Sequence, residues 1–164
     1  LQKDYIDLAI VYGLPEQQAQ RVKLIHRAEL LAVCTPEYIA QYGYLTDPAD
    51  IDNHQIIGIL RDHGEIINRT NIIHNKTQQV TTININHILA TNNFMHNLEL
   101  VKTGKFIAAF YASAVEKAIN DGTYIRVLPD YSFEKLDFYI LKRVHDDPKI
   151  NAFADFLEEC LVGL

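Results

Sequence analysis

Two places in this chain join an apolar run to a helix-like segment through a small polar pair: Cys34-Thr35-Pro36-Glu37-Tyr38 and Leu89-Ala90-Thr91-Asn92-Asn93. The first N–H groups of a helix lack partners within it. Such corners therefore hold small polar ligands in the crevice at the strand ends of an open α/β domain. Thr35 with the N–H groups of Glu37 and Tyr38, and Asn92 with those of Phe94 and Met95, would form two donor clusters. If both face one hollow, they suit a carboxylate or phenolate. Each helix end favours an anion by about 0.3–1 kcal/mol. Micromolar affinity corresponds to about 8 kcal/mol and so needs further side-chain contacts. The plainer reading of Thr35 and Asn92 is that they only cap their helices.

Other chemistry has less to build on. The histidines His26, His54, His63, His74, His87, His96 and His145 lack the spacing of a metal shell. His54 and His63 bracket a segment that could bond a ligand, though a solvated loop is the simpler reading. Ser113 and Ser132 have no elbow such as GxSxG around them. Cys34 and Cys160 match no metal or redox spacing, and Cys34 reads as a core thiol at a strand end. There is no Gly-rich phosphate loop, GxGxxG, HExxH or CxxC. No catalytic residue, metal or cofactor is expected.

The elements that must position these corners follow from patterning. With 164 residues, 48% of them hydrophobic, the chain is long enough to bury a core. The net charge of −6 argues against a phosphate-backbone surface of its own. No segment has the apolar length of a membrane span and the first residues carry no signal-peptide pattern, so a cytoplasmic location is expected. Tyr5 to Val11 reads as a buried strand without a preceding neighbour, as if the sequence began inside a sheet. Extended segments are expected at 22–26, 30–34, 55–60, 106–110, 124–128 and 136–141. The β-branched and amide-rich stretch 65–89 splits at Asn75-Lys76 into two strands, the second with Thr81, Ile83, Ile85 and His87 on one face. Helices are expected at 36–41, 94–103 and 111–121. A last one opens at Asp147-Pro148, with Ile150, Phe153, Leu157, Cys160 and Leu161 facing inward. The alternation of strands and helices predicts a mostly parallel sheet.

The ordered set of segments resembles the effector-binding domain of LysR-type transcriptional regulators. The matching pieces are Asp7 to Gly13, Leu31 to Ile39, Asp47 to His54, the Thr91-Asn92-Asn93 corner, Gly122 to Asp130 and Pro148 to Leu157. The resemblance implies an α/β, type II periplasmic-binding-protein-like fold of two Rossmann-like lobes, with lobe I incomplete. Residues 1–27 would belong to lobe I, 28–130 to lobe II, and 131–164 would return to lobe I. It also implies a small-molecule inducer between the lobes, contacted by Val11, Tyr12, Gly13, Thr35, Ile57, Gly58, Ile59, Thr91, Asn92 and Asn93. Many members carry arginine after the Ala-Ile pair where this chain has Val11, a departure that bears on a simple carboxylate inducer. The family's helix-turn-helix is absent, so DNA contact would come only through that missing domain, in a homo-oligomer with no membrane role. The alternatives are a solute-binding protein of a transport system, which shares the fold, and a small enzyme, for which no catalytic constellation is found.

Overall fold

Leu30–Cys34 is apolar at every position, and a strand of that kind has to be covered on both faces. In the computed structural model, which describes residues 6–13, 21–60, 64–133, 135–143 and 147–161, all five residues of this strand are buried. In chain order the strands are β1 (Leu8–Tyr12), β2 (Arg21–Ala28), β3 (Leu30–Cys34), β4 (Ile56–Ile59), β5 (Arg69–His74), β6 (Val80–Asn84), β7 (His87–Thr91), β8 (Ala108–Tyr111), β9 (Ile125–Arg126), β10 (Tyr131–Phe133) and β11 (Leu136–Lys142). The helices are α1 (Pro36–Tyr42), α2 (Phe94–Lys102), α3 (Ala112–Asn120) and α4 (Pro148–Leu161), with a 3-10 turn at Pro48–Asn53. The chain divides into two compact units, Leu1–Ala28 with Lys135–Leu164, and Glu29–Glu134.

In the first unit β11 lies between β1 and β2 and pairs antiparallel with both. Helix α4 is tied to this sheet by Lys23 Nζ to Glu158 Oε2 and Lys142 Nζ to Asn151 Oδ1, each 2.6 Å. Ala154 is its buried residue, whereas Phe153 is 53% and Phe156 56% exposed, and Cys160 is exposed too. The expected inward placement of Phe153 and Cys160 is therefore corrected. The apolar stripe of α4 is wider than a three-stranded sheet can cover, so its flank stays outside.

In the second unit β3 pairs antiparallel with β8 and β9, and β4 pairs parallel with β7. A parallel bridge from Ile56 to Ile107 joins β4 to the chain entering β8, giving the order β7-β4-β8-β3-β9. Four of these strands run one way and β3, lying between two of them, runs the other, so the sheet is mixed and not mostly parallel. The connection sets this: α1 and the 3-10 turn stay at the end where β3 finishes, so β4 starts there and runs back.

Alternation along each strand divides the core between two layers. Leu31, Val33, Ile57, Ala108 and Phe110 pack with Val101 of α2, Val115 of α3 and Tyr124. Ala32, Cys34, Ile56 and Ile107 pack on the other face with Tyr38, Leu45, Ile51, Val127 and Leu128, and with Ile72 and Ile83 of the β5–β6 hairpin. The hairpin's remaining residues stay at least partly exposed, in keeping with their amide and hydroxyl side chains. The expected second strand does not reach His87. Strand β6 ends at Asn84, the Asn86 side chain donates to Asp52 Oδ1 at 2.7 Å, and His87 begins β7 beside β4.

The hairpin turn contains a left-handed non-glycine residue, Gln78, at φ 59°. An L side chain there costs about 1–2 kcal/mol, part of which glycine returns as unfolded-state entropy. Gln78→Gly is expected to raise stability by about 0.5 kcal/mol, seen as a higher urea midpoint with an unchanged slope.

Candidate functional site

Strands β4 and β7 run parallel, with Ile57, Gly58 and Ile59 opposite Leu89, Ala90 and Thr91. The Leu60 N–H continues the pair by donating to the Thr91 carbonyl at 2.9 Å. Their C-terminal ends therefore meet the start of α2, so the structure brings Ile59 and Thr91-Asn92-Asn93 together at one corner. Parallel strand ends and a helix start coincide here, as they also do where β8 runs into α3, and this is the arrangement that collects ligands in open α/β sheets.

Within the corner the two asparagines have different tasks. The N-cap of α2 is Asn93 and not Asn92: its Oδ1 accepts from the Met95 N–H at 2.9 Å and the His96 N–H at 3.4 Å. The Thr91 hydroxyl accepts from the Asn93 N–H at 3.2 Å and lies 2.6 Å from Oδ1 of the buried Asn97, which locks the turn. The Asn97 N–H is taken by the Asn93 carbonyl at 3.2 Å. Most donors of this helix end are thus already used by the protein, and the attraction expected for an anion is correspondingly reduced. The Asn92 side chain is exposed and makes no hydrogen bond among the described residues, so it is the amide free to meet a ligand. Ile57 is 3% exposed and its side chain belongs to the core, while the space beside Gly58 is filled by the His87 ring.

Thr35 does cap α1, accepting from the Tyr38 N–H at 3.4 Å. Its hydrogen bond to the Glu37 carboxylate holds that group below the usual range. It does not share a hollow with Asn92. Strand β3 runs against β4, β7 and β8, so its C-terminal end lies at the edge of the sheet opposite the Thr91–Asn93 corner. The turn that ends α2 confirms this, because a Cβ on Gly104 would lie 3.6 Å from Thr35 Oγ1 and 3.1 Å from Glu37 Cβ. Thr35 therefore sits at the end of α2 and the asparagines at its start, and a nine-residue helix is about 13 Å long. The expectation that both corners converge on one concavity is overturned, and Thr35 is a buried cap.

The remaining candidates divide between the units. In the first unit Val11 and Tyr12 end β1 opposite Tyr139 and Phe138, and the Gly13 N–H reaches the Asp137 carbonyl at 2.9 Å. In the second unit His54 is no solvated loop residue. It is 7% exposed, and its Nδ1 lies 3.0 Å from the Tyr38 hydroxyl, which also accepts from the Gln55 N–H at 3.0 Å. Burial lowers the His54 pKa, against a smaller opposing effect of Asp50. His63 lies outside the described residues. Burial pushes the Cys34 thiol up to about 12, which leaves it a core group and no nucleophile at neutral pH. Ser132 donates to Asn75 Oδ1 at 2.6 Å. Among the described residues no group of three metal-ligating side chains occurs, and no helix is long and apolar enough to cross a membrane. Sequence reasoning missed the pairing of His87 with Gly58. The signal available was a lone glycine inside an apolar strand, which marks close approach by a neighbour.

Comparison with known proteins agrees with this architecture. SinR of Salmonella typhimurium, described as a probable HTH-type transcriptional regulator, is 25% identical over 159 residues, covering 95% of this chain and 50% of that protein. An HTH-type transcriptional regulator of Haemophilus influenzae is 24% identical over 135 residues, covering 82% of this chain and 46% of its own. The chain thus spans about half the length of the curated relatives it matches. The regulatory domain of AphB in Vibrio vulnificus superposes with a TM-score of 0.75 at 20% identity, over 92% of this chain and 73% of that one. The CrgA regulatory domain from Neisseria meningitidis superposes with a TM-score of 0.77 at 19% identity, over 95% and 76%. These likenesses establish the fold of LysR-type regulatory domains, the periplasmic-binding-protein-like α/β class, and a family model described as the LysR substrate binding domain matches residues 1–161. With that match over nearly its whole length, the chain belongs to the LysR substrate-binding domain family.

Proposed function

We propose that this chain is the effector-sensing part of a LysR-type transcriptional regulator that works in the cytoplasm as a homo-oligomer and reaches DNA through a helix-turn-helix outside this sequence. The regulator descriptions of the curated relatives support this over a transport-system solute-binding protein. The observation that carries the site is the β4–β7 corner, where Ile59, Thr91, Asn92 and the capped start of α2 meet. With most helix N–H groups occupied, the corner favours a ligand recognised through the Asn92 amide and an apolar rim, including the exposed Met95, over a simple anion. Sensing follows if the effector binds one arrangement of the protein better than another, since a ligand shifts an equilibrium only by that preference.

A thermal-shift screen of small carboxylates, aromatics and amino acids on the full-length protein tests this. Asn92→Ala is expected to abolish the shift given by a binding compound while leaving the ligand-free melting temperature unchanged. Asn93→Ala is expected to lower ligand-free stability by about 1 kcal/mol through loss of the cap. A shift that survives Asn92→Ala, or no shift with any compound class, contradicts the assignment.

A further inference from the structure

His87 occupies a place that packing alone does not explain. A Cβ on Gly58 would lie 2.7 Å from its Cγ, 2.8 Å from Nδ1 and 3.0 Å from Cδ2, so the ring fills the notch that glycine leaves. Both ring nitrogens are buried, and among the described residues neither has a partner at hydrogen-bonding geometry. A neutral imidazole carries one donor and one acceptor, and both are left dry here. An apolar side chain would fill the notch without that penalty. The ring also sits at the weakest point of the strand pair: Ile56 faces His87 but Ile57 faces Leu89, so the register slips there. Three residues further on, Ile59 faces Thr91 at the proposed effector corner.

We propose that His87 is a proton-operated latch on β4 and β7: its neutral ring, seated against Gly58, holds the pair together beneath the Thr91–Asn93 corner, and protonation drives it out and loosens that corner. A buried imidazolium needs a carboxylate or other strong acceptor, and among the described residues only the Ile67 backbone carbonyl comes near, with a smaller effect than burial. Apart from His87, β4 and β7 carry no ionisable side chain. The neighbouring 64–68 segment contributes the exposed Glu65, β5 opens with Arg69, and Asp52 of the 3-10 turn is engaged by Asn86. No charge of theirs acts on the ring, which feels burial first and, oppositely and less, the nearby Ile67 backbone. Arg61, Asp62 and His63 lie outside the described residues.

That the loosened corner is the effector's rests on the function proposed above; the latch itself is read in ligand-free protein, so the two fail separately. The experiment follows the His87 ring resonance and backbone amide protection by NMR between pH 7.5 and 4.5. His87 is expected to titrate below the ordinary 6.5. Protection of the Leu60 amide, bonded to the Thr91 carbonyl, should fall about tenfold per pH unit between 6.5 and the His87 pKa and level off below it. The Ile57 amide, bonded to Ile107 on the other side of β4, should keep its protection. In His87→Leu the Leu60 protection should be independent of pH across this range. A ring pKa at or above 6.5, or Leu60 protection unmoved as the pH falls from 6.5 to the His87 pKa, overturns the proposal, and both are read on the unaltered protein. A fall that persists in His87→Leu overturns it too and assigns the effect to the other buried imidazole, His54.

Discussion

Gly58→Ala is expected to destabilise the protein by about 2–3 kcal/mol, the upper part of the range for overpacked interiors. The obstacle is the root of the His87 ring, 2.7 Å from the new methyl group, and a ring root cannot swing aside as the tip of a long side chain can. The backbone on either side is fixed by parallel pairing with β7 and by the Ile57 N–H to Ile107 carbonyl bond of 2.9 Å, so strain cannot be relieved by a small shift of the strand. In urea unfolding at pH 7.5 the midpoint should fall with little change in slope. Combining Gly58→Ala with His87→Ala should recover most of the loss, a coupling of more than about 1 kcal/mol between the two positions. If Gly58 instead serves only ligand approach, the alanine variant would keep its ligand-free stability and lose effector binding. That result would return Gly58 to the role the family resemblance implies.

The sequence carried those features whose cause is local. Apolar runs bounded by turn residues announced β3, β4 and β8. Thr35 with Pro36, and the asparagines before Phe94, announced two helix starts that are both present. Strand direction is not local, and it decided the site. Nothing within residues 30–60 says that α1 and the 3-10 turn remain at one end of the sheet, yet that is why β3 opposes β4 and why Thr35 and Asn92 are separated by the length of α2. The adjacent asparagines are equally good caps by type. Which one caps depended on the Thr91 hydroxyl and the buried Asn97, six residues apart in the chain. In α4 the apolar residues cover a broader stripe than one small sheet can bury, so periodicity marked Phe153 as internal although it is exposed.

Exposed apolar side chains gather in the first unit. Ile6, Ile10, Tyr12, Val22, Leu24, Phe153 and Phe156 are all exposed there, among far fewer described residues than the second unit has. A unit of two edge strands, one central strand and one helix has too little surface to cover both sides of its own sheet. This chain matches 73% of the AphB regulatory domain and 76% of the CrgA one, so about a quarter of each lies outside the match. The second unit has its own two-layer core and does not share the deficit.

Tyr38→Phe, which removes one oxygen from that core, is expected to cost about 2–4 kcal/mol. The ring would stay packed, fully buried and 4.7 Å from the Tyr42 ring between centroids, so the change isolates the hydroxyl. That hydroxyl accepts from the Gln55 N–H at 3.0 Å and lies 3.0 Å from His54 Nδ1, to which it donates in the tautomer that carries the ring proton on Nε2. Deleting it leaves the buried His54 ring and the partly buried Gln55 N–H without this partner, each worth about 1–3 kcal/mol. The pH dependence supplies a second reading. Burial lowers the folded-state pKa of His54 below its ordinary 6.5, so the unfolded chain takes up the proton first as pH falls. The stability His54 contributes is therefore complete above about pH 6.5 and declines in more acid solution, down to its folded pKa. Without Tyr38's hydroxyl the neutral ring loses its bond, the folded pKa rises toward 6.5, and the acid slope of stability becomes shallower. His87 titrates in both proteins, so the difference between the two slopes belongs to His54. A Tyr38→Phe protein with the same slope as the unaltered one would show that the hydroxyl does not hold the neutral imidazole, whatever the loss of stability.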